Sequence, residues 1–360
     1  MLGKGYIRSL PCITIDSKKL KYNLEEIQSL LTEHNLKAHY ATQGICAFEP
    51  LIKLMAETGV RNFADSRLKN LLKVKPYAES TLLTRVPMIS EARGIVNKVD
   101  ISLNSELETI FALSDAAVVE NKTHGVILQV ELGDLGAGIL PEDLLATVHQ
   151  ILNLRGVKLV GISISLNTFA GVITTLEKIQ EFRELIKHVE ARFGIELEFV
   201  TGGNSGTIGL LDSEEFPLEI NHLILSEAWL FGRETSYGHR IGNLHQDIFE
   251  LSGEIIENQR KPSMPDGEIG TNYKGEKLEF TDHGLIRRII LALGAQDIDF
   301  SGIKPQEKGI EYIESTLDYS VFDITKYNRD LEIGDQVDFS LNYSALNRAF
   351  TSEYVNKVLI

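Results

Sequence analysis

Apolar residues recur along the first two-thirds of the chain with two different periods, and the two alternate. Short runs rich in β-branched and aromatic residues fall at 37–42 (KAHYAT), 61–65 (RNFAD), 81–86 (TLLTRV), 99–103 (VDISL), 125–132 (GVILQVEL), 157–166 (VKLVGISISL), 197–202 (LEFVTG) and 222–228 (HLILSEA). Each has the length and composition of a strand. Between them the spacing becomes helical. Leu20, Leu24, Ile27 and Leu31 form one stripe, with Asp16 placed to cap it, and Ile179, Phe182, Ile186 and Val189 form another. Such stripes are core faces rather than cofactor boxes. Eight strands, most separated by helix-length segments, predict an α/β fold, a (β/α)8 TIM-type barrel over residues 13–234. An open, doubly wound sheet is the alternative, because a strand count does not prove closure. After "FGRETSYG" the texture changes to short strands punctuated by Gly, Pro, Asn and Asp: "DIFELSGEII", "RRIILALG", "SVFDIT" and "GDQVDFSL". These predict an antiparallel β domain made of residues 1–12 and 235–360, with 258–276 as a long loop.

Composition narrows the function classes. With 360 residues and 43% hydrophobic content the chain can build a barrel and a smaller domain. A net charge of −15, spread along the chain, argues against nucleic acid or a membrane surface as partner. Two cysteines, Cys12 and Cys46, cannot form a disulfide framework, which fits a reducing, cytoplasmic setting. No apolar run reaches the roughly 18 residues of a membrane span, and residues 1–16 lack the apolar core of a signal peptide.

The most informative motif is "FVTGGNSGT" at 199–207, after the seventh strand. Two glycines let a ligand approach the backbone, and Asn-Ser-Gly-Thr offers amides and hydroxyls to oxygens. In (β/α)8 enzymes phosphate sites are built from the loops after strands seven and eight, which here joins Gly203, Asn204 and Ser205 to Ser226. A tight turn with a helix cap is the competing reading. Other strand ends are weaker candidates. Asp65, Ser66 and Arg67 end strand two, where Asp or Ser reads as a cap of the next helix, Arg85 reads as a partner for a carboxylate or cofactor oxygen or as a surface ion pair, and Ser105 with Glu108 as a capping box beside Asn104. The glycine-rich loop 131–139 reads as flexible and ligand-sized, and 165–172 closes strand six in a similar way. His124 and His222 open strands, away from a barrel's active face, and read as structural. No metal-ligand spacing, nucleophile elbow or dinucleotide fingerprint occurs.

Taken in order, "FADSRLKNL", "RVPMISEA", "DISLNSELETI", "ELGDLGAGI", "GGNSGT", "LFGRETSYG", "GEIG", "ALGAQDID" and "TSEYV" make the sequence resemble, nearly end to end, the alanine-racemase-like family of fold-type III pyridoxal-phosphate barrels, in particular the amino-acid racemase branch that includes ornithine racemase. The resemblance implies a cofactor barrel, a C-terminal β domain and a head-to-tail homodimer with active sites between subunits. It implies pyridoxal phosphate as cofactor and a small or basic amino acid as substrate. The cofactor-binding set it implies is Thr42, Arg85, Asn104, Asn167, Gly202, Gly203, Asn204, Ser205, Ser226 and Glu227.

The family's Schiff-base lysine stands in a Thr-Lys pair at the end of the first barrel strand; here the pair is Thr42-Gln43. A carboxamide neither forms the covalent link nor serves as the base that moves the Cα proton, so impaired racemisation without covalent attachment is expected. Lys37 lies too far back on the same strand to substitute. Ile224 and Ser226 stand where the branch carries arginine and glycine, and Thr168, Phe169 and Ala170 where relatives tend to carry Cys-Tyr-Gly. Tyr237, Tyr273 and His283 are candidates for the second proton carrier that the family requires, and Cys46 for a pocket residue. The alternatives are a non-catalytic barrel binding pyridoxal phosphate or another phosphorylated ligand as carrier, sensor or regulator, and an unrelated phosphate chemistry on the same scaffold.

Overall fold

A computed structural model describes residues 9–360. The chain forms two compact units, one spanning Lys18–Gln246 and the other made of the chain up to Ser17 together with Asp247–Ile360. The strands of the first unit are β2 (Lys37–Ala41), β3 (Asn62–Asp65), β4 (Ser80–Leu83), β5 (Ile101–Asn104), β6 (His124–Val130), β7 (Val157–Ile164), β8 (Phe199–Thr201) and β9 (His222–Leu225), following β1 (Cys12–Ile15) of the second. β2 to β9 close into a parallel barrel. The open-sheet alternative is thereby excluded. The eight strands fall on the eight segments that the alternation predicts.

Helices α1 (Ser17–Glu33), α2 (Glu49–Glu57), α3 (Leu68–Val74), α4 (Ala92–Lys98), α5 (Leu107–Val119), α6 (Leu144–Leu152), α7 (Leu176–Phe193) and α8 (Glu227–Phe231) connect them. The predicted stripes are the buried faces: Leu20, Leu24, Ile27 and Leu31 on α1, and Ile179, Phe182, Ile186 and Val189 on α7. Thr175 caps α7 by accepting from the Lys178 N–H, and Gly194, at φ 61°, ends it in the left-handed region that glycine tolerates. The capping box expected from Ser105 and Glu108 does not form. α5 starts at Leu107, with Glu106 before it and no side-chain cap, so the strand end rather than the local motif sets the first turn.

In the second unit, a sheet runs in the order β12 (Ile303–Pro305), β15 (Gln336–Leu341), β10 (Phe249–Pro262), β11 (Leu285–Leu291), β14 (Ser320–Asp323) and β13 (Glu311–Ser315), with β1 pairing β10 and β16 (Asn356–Leu359). It is mostly antiparallel; the β1–β16 pair is parallel. Here α9 (Tyr343–Thr351) is capped by Asn342. The predicted loop 258–276 begins later than expected. β10 continues through its polar stretch Gln259, Arg260 and Lys261, whose backbone groups are paired with Arg288, Arg287 and Ile286 of β11.

The barrel interior is apolar around Ala64, Leu82, Ile101, Leu103, Ile127, Val160 and Phe199, with Ala41 and Ile224 packed against this cluster and only partly buried. Near the strand starts it holds a buried polar chain. His39 Nδ1 lies 2.8 Å from His222 Nε2, His39 Nε2 lies 3.0 Å from Ser80 Oγ, and Thr201 Oγ1 lies 2.8 Å from His222 Nδ1. Burial dominates their titration. It lowers His39 to about 4 against a weaker opposing pull from Asp100, lowers His124 to about 4 against the Val99 backbone and Asp100, and drives His222 well below 6.5, helped by His39 and Lys37.

An unfolded chain takes up protons on these histidines below about 6.5, whereas the fold refuses them until well below that, about 4 for His39 and His124. Stability is therefore complete above pH 6.5 and falls as pH is lowered through this window, by about 1.4 kcal/mol per pH unit for each histidine. Denaturant midpoints measured from pH 7.5 to 4 should show this slope; a flat profile would contradict a neutral His39–His222 pair.

Candidate functional site

The strand ends β2, β8 and β9 gather the residues singled out at the barrel mouth. β2 pairs β9 with Tyr40 opposite Leu225, and β8 pairs β9 with Thr201 opposite His222. The segment after β2 is therefore a neighbour of the loops after β8 and β9. Thr42, fully buried, donates to Asp65 Oδ2 at 2.7 Å, and Asp65 also accepts from the Arg67 N–H and from Asn70 Nδ2. Burial raises the Asp65 carboxyl, while the bonds from Thr42, Arg67 and Asn70 pull against that rise. Gln43 follows and opens a 3₁₀ turn, Gln43–Ile45, after which Cys46 and Ala47 both take positive φ, at 48° and 47°.

The loop after β8 has the character of an anion cradle. Gly202 and Gly203 are buried, and Gly203 has φ 110°. A Cβ on Gly202 would stand 2.6 Å from Ile220 Cγ2, so the glycine is required for packing. Among the described residues, the backbone N–H groups of Gly203, Asn204, Ser205 and Glu227 donate to no group of the protein. Ser205 is fully buried, and its Oγ accepts from the N–H groups of Ser226 at 3.2 Å and Ala228 at 3.1 Å. The hydroxyl thus brings the two loops together and keeps its own proton for an acceptor. Uncommitted amides and a buried hydroxyl suit the oxygens of a phosphate. The phosphate end of the cofactor fits these residues. At the ends of β2 and β9, Gln43 offers no amine and Ile224 no charge.

Other residues named from sequence are engaged elsewhere. Asn204 uses its side chain as scaffold: Nδ2 donates to Leu166 O at 2.7 Å, and Oδ1 accepts from the Gly206 N–H and Thr235 Oγ1. Asn167, at φ 56°, donates to Thr235 O at 2.6 Å. Arg85 bonds Ser66 O and Glu91, and Glu227 pairs with Arg233 at 2.6 Å. Leu103 packs into the barrel core, so Asn104, next along β5, turns the other way; its amide donates to Ser102 O and Oγ. Tyr237 is 66% exposed and stacks on His239 with ring centroids 5.5 Å apart. In the second unit Tyr273 has Lys274 Nζ over its ring, and the His283 N–H donates to Ser263 Oγ. Among the described residues no group could hold a metal ion, and no helix is long and apolar enough to cross a membrane.

Comparison with known proteins agrees with this architecture. The family model for the alanine racemase N-terminal domain matches residues 15–220. The chain is 38% identical to an ornithine racemase of Acetoanaerobium sticklandii over 97% of its own length and 99% of that protein's. It is 30% identical to a lysine racemase of Thermotoga maritima over 97% and 98%. Among solved structures, alanine racemase from Clostridium difficile 630 superposes with a TM-score of 0.74 at 16% identity, covering 99% of this chain and 97% of that one. An alanine racemase from Bartonella henselae with covalently bound pyridoxal phosphate gives 0.69 at 14% identity, over 97% and 99%.

One residue of the mouth escaped the sequence reading. The loop 131–139 is pinned, not the flexible segment expected. Glu131 Oε1 accepts from the N–H groups of Gly133 and Leu135. Asp134, almost fully buried, takes Thr168 N–H, Thr168 Oγ1 and Phe169 N–H on Oδ2 and Val172 N–H on Oδ1. Burial pushes its carboxyl up, but the bonds from Phe169, Thr168 and Val172 outweigh burial and bring it down to about 2. One carboxylate thereby ties the loop after β6 to the loop after β7. Asp134→Asn leaves part of these donors without an acceptor. It should cost about 2–3 kcal/mol in a denaturant titration and raise hydrogen exchange across 165–172; unchanged exchange there would contradict the clamp.

Proposed function

Because the chain belongs to the alanine-racemase family, which is pyridoxal-phosphate-dependent, we propose that it grips this cofactor, or a ligand of its class, through the phosphate alone and racemises amino acids only feebly. The observation that carries the reading is Gln43, at the end of the first barrel strand, in the position that matches the family's anchoring lysine. Relatives named ornithine racemase and lysine racemase point to a basic amino acid as the ancestral substrate. When bound, the cofactor supplies an electron-withdrawing ring that acidifies the Cα–H of an amino acid joined to it.

The chain's own groups divide between the two tasks. Backbone amides of Gly203, Asn204, Ser205 and Glu227, with the Ser205 hydroxyl, hold the phosphate. Gln43 offers a delocalised carboxamide nitrogen, which neither attacks an aldehyde nor removes a proton at neutral pH. Lys37 opens β2 and, at about 3.3 Å per residue, stands roughly 20 Å back along the strand. Ile224 presents no charge to a ring nitrogen. Loss of positioned acid–base catalysis alone removes about 10²- to 10⁴-fold in rate, and the covalent anchor is lost with it. A binding role as carrier, sensor or regulator follows for the chain as it stands.

Titration with pyridoxal phosphate, followed by borohydride and denaturation, is the test. Wild type should bind the cofactor yet retain none on the protein after denaturation. Gln43→Lys should retain it at residue 43, and Ser205→Ala should weaken binding by about tenfold. A borohydride-stable label on the wild type, with rapid racemisation of ornithine, lysine or alanine, would overturn the reading. The same family reading makes the protein a cytoplasmic homodimer, for which light scattering should give twice the 40.2 kDa chain mass.

A further inference from the structure

Gln129 is a polar side chain of the barrel interior that neither the fold nor the phosphate grip uses in full. It faces inward because Ile127, two residues earlier on β6, packs in the interior core, and β6 keeps its register with β7 from Ile127 to Val130. Its height follows from the ladders. Ala41 pairs with Ala64, Ala64 with Leu82, Leu82 with Ile101 and Ile101 with Gly125, which carries the level of Ala41 along the ladder from β2 to β6. A closed (β/α)8 barrel staggers by roughly eight residues in one circuit, about one per strand, so the residue of β6 level with Ala41 lies about four beyond Gly125. That residue is Gln129. Ala41 is only partly buried against the interior cluster. Gln129 therefore stands at the floor of the mouth, half a circuit from β2 and Gln43.

The polarity that Gln129 shows there is set by the fold. The loop 131–139 turns back onto β6, with the Ile139 N–H donating to Gln129 O and the Glu131 N–H to Ile139 O. This brings the Ala137 carbonyl to the Gln129 side chain, where Nε2 donates to it. A carbonyl accepts only from a donor, so the amide nitrogen must face Ala137 and the amide oxygen must face away. Gln129 is 7% exposed. Its Oε1 receives no hydrogen bond from the described residues and keeps accessible surface, whereas the Ser163 Oγ opposite it on β7 is sealed. The mouth thus has two polarities: N–H donors at the ends of β8 and β9, and a neutral acceptor on β6.

We propose that Gln129 is a ligand-contacting residue that sets specificity, its Oε1 accepting from an N–H or O–H on the ring of the molecule that the phosphate loop holds. The inference rests on the phosphate grip proposed above. The ligand class is a phosphomonoester whose ring carries hydrogen-bond donors, such as the aminomethyl group and protonated ring nitrogen of pyridoxamine 5′-phosphate. A ligand oxygen without a proton, turned toward Oε1, is disfavoured because two acceptors then face each other without water between them. The carbonyl of Ala137 acts through Gln129 by fixing which atom of the amide the ligand meets.

Isothermal titration of the full chain with two phosphomonoesters tests this. Pyridoxamine 5′-phosphate carries ring donors; benzyl phosphate shares its phosphomethyl ring skeleton and has none. Wild type should bind pyridoxamine 5′-phosphate at least about tenfold more tightly. Gln129→Met, of similar length but without the amide, should weaken pyridoxamine 5′-phosphate about tenfold and leave benzyl phosphate within about twofold. Ser205→Ala should weaken both ligands alike, since it acts on the phosphate they share. Equal affinity of wild type for the two ligands would overturn the proposal, whatever the variants do. So would an unchanged affinity of Gln129→Met for pyridoxamine 5′-phosphate. A variant that loses both ligands equally would also overturn it, because the residue would then act only by tethering the loop through Ala137. Failure of wild type to bind either ligand would overturn the phosphate grip and this inference with it, whereas binding of both without dependence on Gln129 overturns the inference alone.

Discussion

The barrel depends on its seam. β2 and β9 are far apart in sequence, yet they pair in register from Lys37 opposite His222 to Tyr40 opposite Leu225. The His39–His222 contact of 2.8 Å crosses the seam, and Ser80 and Thr201 complete the chain on either side. A slip of one residue would turn every side chain of β2 to the wrong face and leave two imidazoles buried without partners. Closure also removes the free edges that would allow a slip. The position after Thr42 is thus held beside the loops that follow β8 and β9, whichever residue occupies it. The scaffold for cofactor chemistry is independent of the residue that performs it.

The two ends of such a site differ in how mutation can remove them. The phosphate cradle is built from backbone N–H groups, which every non-proline residue carries, and from a path that Gly202 and Gly203 make possible. Losing it requires refolding the loop. In the proposed reading the anchor would be one side chain, so exchanging it ends its nucleophilic and basic roles without disturbing the backbone cradle. Affinity for the phosphate and turnover of the amino acid can therefore separate. Ile224 fits the same pattern, since an isoleucine beside Ala41 extends the apolar core upward where a cation would have to be solvated or paired.

The fold was legible because a parallel barrel imposes two periods on the chain, and buried strands and half-buried helices obey them. Boundaries were less legible where pairing partners are distant. Gln259, Arg260 and Lys261 carry no strand signature of their own, and only β11 makes them a strand. The Ser105 capping box matches its motif yet does not form, because the helix start is fixed by where β5 ends. For the site, residue type was legible and partner was not. Asn167 and Asn204 were recognised as amides near a mouth, but their hydrogen bonds go to Thr235 and Leu166, tens of residues away. Asp134 left no signal, since a lone aspartate among glycines reads as an exposed turn until the loop that it binds is known.

These amide bonds have a structural consequence of their own. Asn204 holds the phosphate loop to the loop after β7 through Leu166 O and to the segment after α8 through Thr235. Gly206 sits at the junction, with the Ser236 Oγ at 2.8 Å and the Thr235 Oγ1 at 3.0 Å from where its Cβ would be. A side chain there would have to turn these two hydroxyls aside, and with them the Thr235 bond to Asn204 Oδ1. The glycine thus lets the hydroxyls of Thr235 and Ser236 lie close against the loop after β8.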